Sequence, residues 1–314
     1  MLAPEEGITA PEAFHFTSLG LWGSALGYGI GAVAVDGLEN PDFTWTFLGG
    51  QLLGTTLGAY TFRETSHTTS DLALMHWTGV EVTTATLGAL VLWGDDNPSD
   101  YQKQMGPALA TLTGLGLGVM PMWFLASDLE FSETDPALIT LGTLGSGVLG
   151  GLAAHGTSDK DGASVGGFLL GQGIGYAASV VASQYTDLTK GQLSWITMGT
   201  SLGATAGAGI GVLAQSDNSQ TQALSAFIGG LTLTAATALS ADSFDLTWSD
   251  ADLAFYSGIT GTVLGGSIAL MSSEDFQGPA LIGASTGLLA GLIYDHLKPM
   301  SLRDSSLGAS GTLA

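Results

Sequence analysis

Glu81 is the one carboxylate near the middle of an apolar run, in Trp77-Thr78-Gly79-Val80-Glu81-Val82-Thr83. An acid removed from water either gives up its charge or collects hydrogen bonds. Inside a membrane such a residue usually faces the bundle interior and marks an ion or proton path. The plainer reading is that its segment meets water at an end of the molecule. His76 lies five residues before Glu81, a spacing that puts the two on different helix faces, so a metal pair or relay between them is not expected. His15, His67, His155 and His296 fall at the ends of apolar runs or between them, where a histidine is expected to be solvated.

Other constellations are thinner. Gly166-Gly167 with Gly171, Gly173 and Gly175 superficially resembles a dinucleotide loop, but no strand precedes it and the spacing recurs elsewhere, so packing explains it better. Asp242, Asp245, Asp250 and Asp252 offer the oxygen ligands calcium prefers, yet no acidic gap matches a helix–loop–helix calcium loop with its closing glutamate. Capping and solubility are their expected uses. No Gly-x-Ser-x-Gly elbow, His-Glu-x-x-His helix or phosphate-binding Walker loop is expected. Catalysis needs at least two converging reactive groups. None is legible, so no enzyme, catalytic residue, cofactor or metal is expected.

What would position Glu81 is a set of glycine ladders. Gly199, Gly203, Gly207 and Gly211 step by four through an uncharged apolar stretch, and the step recurs at Gly23/Gly27/Gly31, Gly50/Gly54/Gly58, Gly167/Gly171/Gly175 and Gly283/Gly287/Gly291. With substitutions it appears at Gly106/Ala110/Gly114/Gly118, Gly142/Ser146/Gly150 and Ser257/Gly261/Gly265/Ala269. Spacing by four puts small residues on one helix face and lets a neighbouring backbone come close.

The charge pattern narrows the setting. Six basic against 28 acidic residues give a net charge of −22 over 314 residues. No basic patch exists to displace counterions from phosphates, so nucleic acid is excluded as a partner. Docking on an anionic bilayer surface is disfavoured for the same reason. Charged residues make up only 11% of the chain, and they sit in gaps between apolar runs; the mean hydropathy is +0.37. With no cysteine, disulfides, thiolate metal sites and cysteine nucleophiles are excluded. From Met1 to Glu12 there are three glutamates and no basic residue, unlike the start of a secretory signal. Either the first apolar segment or a leader removed earlier would direct insertion.

Cutting at the gaps gives ten apolar segments: 16–35, 43–62, 72–93, 105–127, 136–154, 163–183, 193–214, 223–241, 253–272 and 279–294. The gaps hold loop chemistry such as Asn40-Pro41-Asp42, Asp95-Asp96-Asn97-Pro98 and Ser216-Asp217-Asn218. Capping patterns open several segments, at Ser132…Asp135, Thr189…Gln192 and Ser249…Asp252. Central small residues of the odd segments (Gly27, Thr84, Ser146, Gly203, Gly261) and of the even ones (Gly54, Gly114, Gly171, Gly230, Gly287) are each separated by 57 to 62 residues. The repeating unit is therefore a pair of segments, present five times.

Helix is the expected form. Glycine costs about 1 kcal/mol against alanine in an aqueous helix, but in hydrocarbon the unpaired backbone group is the larger cost, and glycine-rich helices are common there. A transmembrane β-barrel would alternate apolar and polar residues, whereas Leu288-Leu289-Ala290-Gly291-Leu292-Ile293 is apolar at both parities. A soluble solenoid would need charged faces. Segment 193–214 has only the hydroxyls of Ser194, Thr197, Thr200, Ser201 and Thr205, which a helix can bond to its own backbone. Trp93, Trp123 and Trp248, near segment ends, suit an interfacial belt.

The sequence thus predicts an all-α polytopic membrane protein of about ten glycine-ladder helices in five tandem hairpins. Residues 1–15 form an acidic N-terminal segment, 16–296 a single membrane domain and 297–314 a flexible tail. Gly23, Gly27, Gly31, Gly50, Gly54, Gly58, Gly114, Gly167, Gly171, Gly175, Gly199, Gly203, Gly207, Gly211, Gly283, Gly287 and Gly291 are the expected packing residues, with Glu81 the candidate intramembrane polar site. The expected role is a structural scaffold or pore-forming assembly, partnered by the lipid bilayer and by further copies of itself. The alternative is a small-solute or ion transporter using Glu81, with Gln51, Gln172 and Pro121 as the other polar or helix-interrupting features of the segments. Arg63, Lys190, Lys298 and Arg303 fall on the side of the termini against Lys103 and Lys160 opposite, which places the termini in the cytoplasm.

Overall fold

The computed structural model describes residues 9–34, 41–62, 68–94, 100–132, 134–214 and 218–243, and the isolated positions 257–258, 260–261, 264, 281–287 and 289–290. Among them all regular structure is helical. The helices are α1 (Ala10–Ala34), α2 (Pro41–Phe62), α3 (Thr69–Trp93), α4 (Asp100–Thr113), α5 (Met120–Leu125), α6 (Asp135–Thr157), α7 (Ala163–Ser183), α8 (Lys190–Ala214) and α9 (Ser219–Ser240). A π-helical stretch, Gly114–Val119, joins α4 to α5, and short 3-10 turns follow α5 and α9. Eight of the expected segments are thus helical among the described residues; most of the ninth, part of the tenth with Gly291, and the tail lie outside them.

Capping sets two helix starts earlier than apolarity alone. Thr9 and Glu12 bond reciprocally, with the Thr9 N–H donating to Glu12 Oε2 at 2.7 Å, and α1 opens at Ala10 instead of 16. Thr68 and Asp71 do the same for α3, which starts at Thr69 instead of 72. The expected Thr189…Gln192 box is present ahead of α8, at 2.8 and 3.2 Å. At Ser132 only half of the box forms: the Asp135 carboxylate accepts from the Ser132 N–H, while the serine hydroxyl turns to Thr134. The fourth segment is continuous but not uniform. Pro121 lacks an N–H and its ring cannot sit against the carbonyl of the preceding turn, and the wider π-turn at Gly114–Val119 precedes it.

Consecutive helices α1 and α2, α6 and α7, and α8 and α9 pack as hairpins; α3 lies against α4, the π-turn and α7, while α6 reaches α9. The backbones come very close. A Cβ built on Gly23 would strike the Gly50 carbonyl oxygen of α2 and reach the Gly54 Cα at 3.0 Å. One on Gly167 would strike the Gly150 carbonyl of α6, and one on Gly203 the Gly229 carbonyl of α9.

Side-chain size is distributed inside out relative to a water-soluble bundle. Several of the closest approaches between helices are made by glycine, alanine, serine and threonine, and the largest fully buried side chains are Leu72, Met75 and His15. Large apolar groups point outward, among them Trp93 at 75% and Leu239 at 91% exposure. Five helices, Met105–Asp128, Asp135–Thr157, Ala163–Ser183, Lys190–Ala214 and Ser219–Ser240, are long and apolar enough to cross a membrane. By length and composition, then, the chain has the marks of an integral membrane protein. All five hydroxyls of Ser194, Thr197, Thr200, Ser201 and Thr205 donate to carbonyls four residues back, at 2.8 to 3.0 Å, so α8 presents no orphaned polar group along that stretch.

Candidate functional site

Two of the buried ionisable side chains, His76 and Glu81, lie on α3. Glu81 is at its midpoint and only 5% exposed. One turn on, the Thr84 hydroxyl donates to the Glu81 backbone carbonyl at 2.9 Å. The Oε2 atom has no hydrogen-bond partner. α7 closes over this turn: a Cβ on Gly173 would strike that of Ala85 and lie 3.1 Å from the Glu81 carbonyl.

One turn earlier, α3 meets α7 through a single polar contact. The Tyr176 hydroxyl lies 2.7 Å from Thr78 Oγ1, whose own proton goes to the Leu74 carbonyl at 2.8 Å. Tyr176 is therefore the donor and Thr78 the acceptor. At 3% exposure this tyrosine buries both its ring and its one polar atom.

Nearer the start of α3, His76 faces α1. Its ring centroid is 5.6 Å from that of His15, the planes tilted by 43°. Trp123 lies 5.2 Å from His15, and Phe14 meets His76 edge-on at 5.8 Å. His15 is fully buried and His76 is 6% exposed. The His15 Nε2 is 3.0 Å from Thr61 Oγ1 of α2. Both ring nitrogens of His76 are enclosed without a hydrogen-bond partner. The seam thus draws side chains from α1, α2, α3, α5 and α7.

One expectation is corrected here. His15 is not a solvated end residue; starting α1 six residues earlier carries it into the second turn and against α3. The Trp123 ring, expected near an interface, lies tilted by 46° beside His15. As the spacing of five implies, His76 and Glu81 serve different neighbours. Gln51 and Gln172 do not join Glu81: Gln51 is exposed on α2, and Gln172 packs against Gly147 of α6. The glycines from Gly166 to Gly175 lie inside α7 with no strand before them.

Contrary to expectation, the Gly-x-Ser-x-Gly spacing of serine hydrolases does occur, three times, at Ser164, Ser201 and Ser285. Each serine is within a helix and none is on a strand-to-helix elbow. Ser201 and Ser285 donate to their own backbone at 3.0 Å. A four-residue glycine ladder with serine at its centre produces the spacing. His155 does lie 3.2 Å from the Ser219 hydroxyl, in a polar cleft at the α6–α7 turn with Asp159, Asp161 and Ser164. The neighbouring amides of Gln220 and Thr221, which could steady an oxyanion, are already bonded to Asn218 Oδ1 at 3.0 and 3.2 Å. Asp242 accepts from Gln192 Nε2 at 2.9 Å, tying α9 to α8; the other aspartates of that acidic gap lie outside the described residues. Among the described residues no group of three His, Cys, Asp or Glu side chains converges as metal ligands would.

No protein family, curated protein or solved structure matches this chain.

Proposed function

We propose that this chain is an integral membrane scaffold, or the unit of a pore-forming assembly, in which glycine ladders hold helical hairpins side by side. The observation that supports it most is the inversion of side-chain size. Backbone meets backbone inside each described hairpin, while leucine, phenylalanine and tryptophan face outward. In water that surface would aggregate; in hydrocarbon it is solvated, and close packing through small residues becomes the cohesive force. The ladders in the ninth and tenth segments continue the scheme, ten helices in all. The partners are lipid and further copies of the chain, with no catalytic step.

Gln51 supports self-association. It is an exposed amide at the midpoint of α2, and an amide at mid-bilayer needs a hydrogen-bond partner from another helix. A second Gln51 supplies both donor and acceptor. Because the chain has no cysteine, Gln51→Cys gives a clean readout. Oxidation in native membranes is expected to produce a disulfide-linked dimer, whereas the same change at Thr84, on the inner face of α3, is not. Equal cross-linking at both positions would remove the argument.

The membrane reading itself is tested by extraction. The chain is expected to stay with the membrane through alkaline and high-salt washes and to leave only with detergent. Recovery as a monodisperse soluble monomer without any amphiphile would refute it. Protease protection of the termini in sealed vesicles tests their cytoplasmic placement.

A second reading, transport of a small solute or ion, is favoured by one feature. Glu81 keeps a carboxylate oxygen without a partner in the middle of a helix whose neighbours bring tyrosine and histidine to the same seam. A residue with a purely structural task would be expected to use both oxygens.

A further inference from the structure

We propose that His15 and His76 form a binding site for a soft monovalent metal ion, copper(I). The inference is independent of the scaffold reading, since it stands on contacts among α1, α2, α3 and α5 alone.

The tautomer of His15 is fixed by its neighbour. Thr61 gives its single hydroxyl proton to the Leu57 carbonyl at 2.8 Å, so the His15 Nε2 at 3.0 Å must be the donor in that pair. Neutral His15 then carries its proton on Nε2 and a lone pair on Nδ1. A histidine whose outer N–H is held by an oxygen acceptor is the usual state of an oriented metal ligand. His76 brings the second imidazole from another helix, with both nitrogens enclosed and unused. Buried polar atoms left in that condition call for an ion, a water or a chemical task.

The spacing fits one ion. With a metal–nitrogen bond of about 2.0 Å and about 1.1 Å more from nitrogen to ring centre, two imidazoles on one ion can hold their centroids up to about 6.2 Å apart. The observed 5.6 Å lies within that reach.

The surroundings choose the class of ion. No third His, Asp or Glu converges on the pair among the described residues, so a divalent cation would keep its charge uncompensated in an apolar enclosure. A monovalent soft ion accepts two neutral nitrogen ligands. The Trp123 ring, 5.2 Å from His15, adds an aromatic face of the kind that attracts a cation. Trp123 in turn packs on a cluster containing Met75 and Met122, the side chains that suit copper(I) and not a hard cation.

The test uses the full chain in detergent, affinity tag removed, with copper(I) supplied through a chromogenic competing chelator and silver(I) as a redox-inert second probe. One ion per chain should bind, with two nitrogen neighbours in X-ray absorption. His15→Leu and His76→Leu should each weaken binding at least ~100-fold, and His155→Leu, remote from the pair, should not. Thr61→Val keeps both imidazoles and removes only the orienting acceptor, so it should weaken binding about 10- to 100-fold. If a histidine variant loses helicity, Thr61→Val decides, and unchanged affinity there overturns the site. Wild-type affinity no better than that of His76→Leu, or a preference for zinc(II) over copper(I), overturns it as well.

Discussion

Gly203→Leu is expected to separate α8 from α9, while Leu202→Ala leaves the pair assembled. The obstacle at position 203 is backbone. A side chain there runs into the carbonyl of Gly229, and even its first carbon would lie 2.9 Å from Leu233 Cβ. The contact is reciprocal, because a Cβ on Gly229 would strike the Gly203 carbonyl. Overpacking ordinarily costs about 1–3 kcal/mol when side chains can shift. Here two helix backbones must move apart, so a cost of about 3 kcal/mol or more is expected. Leu202 is half-buried, and trimming it should fall below the roughly 2–5 kcal/mol of a fully buried leucine. Gly145→Leu is the internal control, since a Cβ at that glycine of α6 meets nothing within 4 Å. The measurement is thermal aggregation in detergent. Equal midpoints for Gly203→Leu and Gly145→Leu would mean that the ladder is not what holds the helices.

The helical class and the positions of the turns were legible because local chemistry carries them. Apolar runs of fixed length, four-residue glycine steps and clusters of Asp, Asn, Ser and Pro all act within a few residues of one another. Where boundaries moved, the signal was also local. Thr9…Glu12 and Thr68…Asp71 are capping boxes that apolarity overlooks, because a helix can begin before its apolar face does. The π-turn ahead of Pro121 is harder to foresee, since proline announces a disturbance and not the form of its repair.

The seam was only half legible. Glu81 stood out because a charge in an apolar run is anomalous wherever the chain folds. Tyr176 did not, because a tyrosine in a helix becomes informative only when its hydroxyl finds Thr78, 98 residues away. His15 was obscured twice, by the boundary and by the absence of any periodic reason for α1 and α3 to touch at that point. Non-local pairings of this kind depend on which helix lies beside which. The repeat predicts that consecutive helices pair, but it does not predict that α3 also takes α7 as a neighbour.

Glu81→Gln is expected to leave assembly intact and to abolish any solute or proton flux the chain supports in reconstituted vesicles. The amide keeps the size of the carboxyl and can still hydrogen-bond, but it cannot exchange a proton or balance a cation. Glu81→Leu removes any side-chain hydrogen bond too, at a cost of about 0.6 kcal/mol and rarely above about 2 by the measured strength of intramembrane hydrogen bonds. The two readings therefore part at wild type. A scaffold gives vesicles with no flux, a Gln variant that assembles normally and a Leu variant that is slightly weaker. A transporter gives wild-type flux that vanishes in the Gln variant without loss of assembled protein. The close packing of α7 over this turn, with Gly173 against Ala85 and the Glu81 carbonyl, leaves little room for a passing solute. The scaffold outcome is the expected one, and flux lost on Glu81→Gln would replace it with transport.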